Sequence, residues 1–165
     1  AVILPDAEDS NTAEQLAAID HLPNGARVVA LVGRPCGDRW RKVRLEHLPS
    51  MAIVRRQAFA NDQWQMPGAQ LIRVNHPEAG AFASDPSQIV VPSGCRRPDW
   101  RPIGEALAAI PRSAFDYVWL IRPPAHAPAG VAGLDPLWRS GTSVLYRIAP
   151  EEEGAASARG GESAR

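Results

Sequence analysis

Cys36 and Cys95 are the two thiols of this chain, and both sit in turn-forming surroundings, Arg34-Pro35-Cys36-Gly37 and Ser93-Gly94-Cys95-Arg96. Two cysteines are too few for a disulfide framework or a four-cysteine zinc site. They either form one bridge in an oxidising compartment or stand as separate thiols. A nucleophilic Cys95 would need a base to lower its pKa, and only Arg96 and Arg97 lie beside it in sequence, so a structural role is favoured. His21, His47, His76 and His126 show no metal-ligand spacing among themselves or with the cysteines. They read as surface or turn histidines, with His47 the best placed for more, one turn from Trp40 and Val43 on a predicted helix. No metal or cofactor is expected. A Gly-x-Ser-x-Gly elbow, a P-loop and a Gly-x-Gly-x-x-Gly fingerprint are all missing from the sequence. The turn Gly33-Arg34-Pro35-Cys36-Gly37 follows a predicted strand, where α/β sheets commonly bind ligands, although Pro35 removes one amide donor.

Charge is arranged in blocks. Arg34, Arg39, Arg41, Lys42, Arg44, Arg55 and Arg56 face only Asp38 and Glu46 between positions 34 and 56. Residues 1–26 carry Asp6, Glu8, Asp9, Glu14 and Asp20 and no Lys or Arg. The plain reading is that the blocks pair across the fold or form solvated faces. The functional reading turns Arg34, Arg39, Arg41, Lys42 and Arg44 toward anionic lipid headgroups or a polyprenyl phosphate. Trp40, Trp64, Trp100 and Trp138 would add interfacial anchors, although tryptophans more often pack cores or loops. Asp116, beside Tyr117, reads as a hydrogen-bonded cap rather than a catalytic acid.

These residues need elements to position them. Residues 1–11 read as a lead-in without apolar periodicity. Thr12 followed by Gln15 fits a capping box, so a helix should start near Ala13 and carry Leu16, Ile19 and Leu22. Strands are predicted at 27–32, 51–55, 70–74, 116–121 and 143–148 from their β-branched runs. Ile89-Val90-Val91 is the one regular-looking stretch in the Pro- and Gly-rich region 75–100. A short helix from Asp38 through Leu48 and another from Pro102 through Ile110 complete the pattern. Residues 123–133 read as a surface loop, and 150–165 as a disordered tail of Glu, Gly, Ala and Ser. Alternating helices and strands predict one layered α/β domain over 12–149, with a mixed, mostly parallel sheet of about five strands and flanking helices.

The chain's 165 residues suffice for one domain with a core, and a 45% hydrophobic content argues against wholesale disorder. A net charge of zero argues against a nucleic-acid partner, which usually demands a basic excess. Lys42 is the single lysine among many arginines, as in proteins of GC-rich bacterial genomes. The first apolar run, Ala1-Val2-Ile3-Leu4, is too short for a signal peptide, and no run approaches the roughly twenty residues that span a bilayer.

Three stretches together carry a resemblance: Leu22-Pro23-Asn24-Gly25-Ala26-Arg27-Val28-Val29, Phe115-Asp116-Tyr117-Val118-Trp119-Leu120-Ile121, and the closing Leu145-Tyr146-Arg147-Ile148. Over most of residues 13–149 the chain resembles the soluble tails that follow the last membrane helix of bacterial polytopic GT-C-type glycosyltransferases. The resemblance implies a non-catalytic, extracytoplasmic accessory domain on the periplasmic face of the membrane, acting in envelope polysaccharide or glycolipid assembly. Its partners would be the membrane-embedded part of the parent chain, upstream of Ala1, and an anionic lipid or lipid-linked sugar. In that family the catalytic acid lies in a loop among the membrane helices, and no position here matches it, so the isolated domain is expected not to transfer sugar. The alternative is a stand-alone small α/β enzyme or ligand-binding domain with its site near Gly33–Gly37 and Cys95.

Overall fold

The computed structural model describes residues 7–37, 45–66, 68, 69, 71, 73–95, 98–125, 127 and 130–150, with the side chains of 7–11 left out. Its centre is β1 (Arg27–Gly33), whose five middle residues Val28 to Val32 are all buried. A run of Val, Ala and Leu without polar alternation suits a strand covered on both faces. Parallel to it run β2 (Phe59–Ala60), β3 (Ile89–Val91), β4 (Arg101–Pro102, paired through β3) and β5 (Tyr117–Ile121). The hairpin β6 (Leu134–Ser140) and β7 (Ser143–Ile148) adds an antiparallel edge through β7 on β5. The sheet order is β4-β3-β1-β5-β7-β6, with β2 also paired to β1. The predicted architecture, a mostly parallel mixed sheet with a late hairpin, is the observed one, with seven strands among the described residues where about five were expected.

Because strand side chains alternate, the sheet feeds two cores. Val29, Leu31, Val90, Val118, Leu120, Val144 and Tyr146 point to one side, where α3 (Ile103–Ala109) supplies Ile103, Ala106 and Leu107. Val28, Ala30, Val32, Trp119, Ile121 and Leu145 point to the other, against Ala18 and Ile19 of the 3-10 helix Ala17–His21, Leu22 just after it, and Ala52 from α2 (Ser50–Arg56). Helical segments therefore cover both faces of the sheet.

Several local expectations are corrected. Residues 51–55 are helical, inside α2, and not a strand. Met51-Ala52-Ile53-Val54 is too short for its period to decide, and its helical start is held from a distance. Asp62 Oδ2 accepts from the Ser50 backbone N–H at 2.8 Å and from its hydroxyl at 2.6 Å. Arg55 and Arg56 then occupy the last turn, where the helix dipole favours cations. The described residues of 70–74 form no strand, and Leu71 there is fully exposed. The first helix, α1, spans Ala7–Leu16, so it starts inside the expected lead-in and Thr12 does not cap it. Residues 45–49 form turns instead of the end of a helix, and residues 38–44 of that helix lie outside the described set. The tail from residue 151 lies outside it too.

Candidate functional site

In an open α/β sheet, ligands tend to bind beyond the carboxyl ends of the strands, where successive connections diverge. Here the chain leaves β1 toward β2, β3 and β4 on one flank and returns to β5 on the other, so that point lies between β1 and β5. It is closed by backbone. A Cβ on Gly33 would sit 1.9 Å from the Arg122 carbonyl oxygen, so glycine is what allows the two strand ends to meet. Arg122 itself has a φ of 43°, and its N–H donates to the buried Ser143 hydroxyl at 2.9 Å.

The turn after β1 is fastened in two further ways. Cys36 forms a disulfide with Cys95, whose Cα lies 5.6 Å away in the segment after β3. Arg34 points inward: its Nε lies 2.6 Å from Glu46 Oε1, with side chains only 12% and 16% exposed, and its guanidinium stacks 4.7 Å from the Trp100 ring centre. Burial pushes the Glu46 carboxyl upward from its ordinary range, against the opposing pull of Arg34. The predicted turn and Cys95 are thus brought together, and the Cys95 sulfur is bonded rather than free. Arg34 serves an internal ion pair; Arg39, Arg41, Lys42 and Arg44 lie outside the described residues.

The flank of β1 opposite β5 holds a feature that the sequence analysis missed. β2 pairs with the first part of β1 and β3 with the last part, leaving Ala30 between them. The Asn61 side chain fills that gap. The Ala30 N–H donates to Asn61 Oδ1 at 2.7 Å, and Asn61 Nδ2 donates to the Ala30 carbonyl at 3.2 Å and to Ser87 Oγ at 3.1 Å. A primary amide carries the same donor and acceptor as a peptide group, so the ladder continues through a side chain. Gln88 extends the network: its backbone oxygen accepts from Val32 N–H at 2.6 Å, and its Nε2 donates to Asp85 Oδ1 at 2.5 Å. Asn61-Asp62 reads in sequence only as turn chemistry.

At the amino ends of the strands lies a cleft of about 660 Å³ lined by Arg27, Arg112, Asp116, Tyr117, Arg147 and Pro150 among others. Asp116 is the cap its sequence setting implied. Its Oδ2 accepts from the Arg27 backbone N–H at 2.9 Å and from Arg27 Nε at 3.1 Å, and Oδ1 accepts from Nη2 at 2.5 Å. The Arg27 hydrogen bonds hold the Asp116 carboxyl below the usual carboxylate range despite partial burial. Asp116 is therefore an anion at neutral pH, suited to clamping two strands and unsuited to donating a proton. Arg112 donates to the Ala132 carbonyl at 2.6 Å, and Arg147 lies 3.6 Å from Asp135.

Of the histidines, His47 is exposed, and His126 lies outside the described residues. His76 packs 4.6 Å from the Phe59 ring and 5.7 Å from Phe115, with Nε2 at 2.8 Å from the Ala114 carbonyl oxygen. Among the described residues no group of three or more His, Cys, Asp or Glu could hold a metal ion, and no helix is long and apolar enough to cross a membrane. No protein-family model, curated protein or solved structure matches the chain.

Proposed function

We propose that this chain is a non-catalytic, extracytoplasmic accessory domain of a membrane glycosyltransferase-like protein of the bacterial cell envelope. It orients the membrane-embedded part of the same protein and faces anionic lipid or lipid-linked sugar. The observation that carries the reading is the Cys36–Cys95 disulfide, since such bridges persist in oxidising compartments outside the cytoplasm. The carboxyl end of the sheet adds support. The bridge, the Arg34–Glu46 pair and the Gly33–Arg122 contact occupy the place where an α/β enzyme would open its site. The Phe115–Ile121 and Leu145–Ile148 stretches that carry the resemblance contain β5 and the end of β7, neighbours in the sheet.

The coding sequence upstream of Ala1 tests the proposal. A series of apolar segments, each long enough to span a bilayer, is the expected result. An upstream region without membrane-spanning segments overturns it, as does turnover of a lipid-linked sugar by this domain alone.

A further inference from the structure

Trp64 stands apart from the other described tryptophans. Trp119 is fully buried, Trp138 packs against a core, and Trp100 stacks on Arg34, whereas Trp64 is 56% exposed. Met66 is 40% exposed and Leu71 completely so, within the same loop. Exposed apolar side chains scattered singly are ordinary, but here three large ones fall within eight residues of one loop.

The loop hangs between two fixed points. At its start, Gln63 Nε2 donates to Ser50 Oγ at 2.9 Å, and the Gln63 carbonyl accepts from Asp85 N–H at 3.0 Å. At its end, His76 is held by Phe59, Phe115 and the Ala114 carbonyl. Both flanks of the exposed side chains are thus anchored to the fold. Its composition points to the partner. From Gln63 to Asn75 the one charged residue is Arg73, and there is no Asp or Glu. An indole, a thioether, a leucine, neutral amides and a lone cation suit the boundary of an anionic bilayer, where tryptophan's amphipathic ring is favoured and carboxylates are repelled.

We infer that the Trp64–Leu71 loop is a membrane-contact element that inserts Trp64, Met66 and Leu71 into the headgroup boundary of an anionic bilayer. This deepens the proposed function and rests on its placement of the domain beside a membrane. It moves the hydrophobic part of the lipid contact to a loop that the basic block does not include.

The test is flotation of the whole chain with phosphatidylcholine vesicles, with and without phosphatidylglycerol, comparing wild type, Trp64→Ser/Leu71→Ser and Arg41→Glu/Arg44→Glu. Wild type should float with the anionic vesicles, and brominated acyl chains should quench part of its tryptophan fluorescence. Trp64→Ser/Leu71→Ser should bind at least about tenfold more weakly, as expected for losing one well-inserted apolar side chain or more. Its thermal unfolding should match wild type, because both side chains are exposed. Quenching in the wild type reads insertion without any substitution. Undiminished binding of the loop variant overturns the inference, as does binding lost only in Arg41→Glu/Arg44→Glu without quenching, which would be surface adsorption. No flotation of wild type also overturns it and would leave the exposed loop to a protein partner. Loop insertion without upstream membrane segments would retire the accessory-domain reading and keep the lipid contact; upstream segments with an inert loop would do the reverse.

Discussion

Asn61→Ala probes the least ordinary element of the fold, a side chain standing in for a strand. The amide of Asn61 is fully buried and pairs with both backbone groups of Ala30, at 2.7 Å and 3.2 Å. Truncation leaves that N–H and that carbonyl without partners in the middle of the central strand. Each unsatisfied buried polar group costs about 1–3 kcal/mol, so the variant should lose about 2–5 kcal/mol, allowing for a water that partly repairs the gap. Against a typical stability of about 5–15 kcal/mol that is a large fraction. Urea unfolding should show the midpoint falling by about 1–2 M with an unchanged slope. Amide exchange locates the effect: the Ala30 N–H should lose more protection than the Leu120 N–H in neighbouring β5, which loses only what the fall in global stability removes. Asn61→Asp sharpens the test. It keeps an acceptor for the Ala30 N–H, loses the donor to the carbonyl, and buries a charge. Burial raises the folded pKa of such a carboxyl, so this variant should gain stability as pH falls, when the protonated acid can donate again. A loss below about 1 kcal/mol in Asn61→Ala, with Ala30 still protected, would refute the idea that the amide completes the ladder.

Other expected outcomes follow from single contacts. Removing the bridge as Cys36→Ser/Cys95→Ser releases a loop with a sequence separation of 59, worth about 4 kcal/mol by loop entropy, and should lower the melting temperature as dithiothreitol lowers that of the wild type. Gly33→Ala forces a methyl to 1.9 Å from a backbone oxygen, so expression should yield insoluble protein or a domain weakened by at least about 3 kcal/mol in chemical denaturation. Asp116→Asn weakens the half-exposed clamp on Arg27 by about 1 kcal/mol at neutral pH. Because the folded pKa of Asp116 lies below its ordinary 3.8, the wild-type advantage is full above that value and disappears as pH falls through the folded pKa; an advantage that persists in strong acid would contradict the assignment.

The sequence by itself determined the three long inner strands and the class of fold. Val28–Val32, Val118–Ile121 and Val144–Tyr146 are unbroken buried runs, and each lies in a strand. Pro102 before Ile103 and Pro111 after Ile110 bounded α3 for equally local reasons. Asp116 was legible as a cap, though its partner Arg27 was not. Tertiary structure alone decided the rest. Residues 51–55 became helix because a carboxylate twelve positions later holds their first turn, a contact that no window over four apolar residues contains. Cys36 and Cys95 were compatible with a bridge or with free thiols until parallel β1 and β3 placed their loops side by side. Arg34 belonged to a basic block in sequence and to an internal ion pair in space. Trp64, Met66 and Leu71 have the composition of core residues, and their exposure is a property of where the chain leaves the sheet. Periodicity reports a side chain's burial against its own strand or helix. Which distant group satisfies a buried amide, or leaves an apolar one uncovered, is settled only when the elements meet.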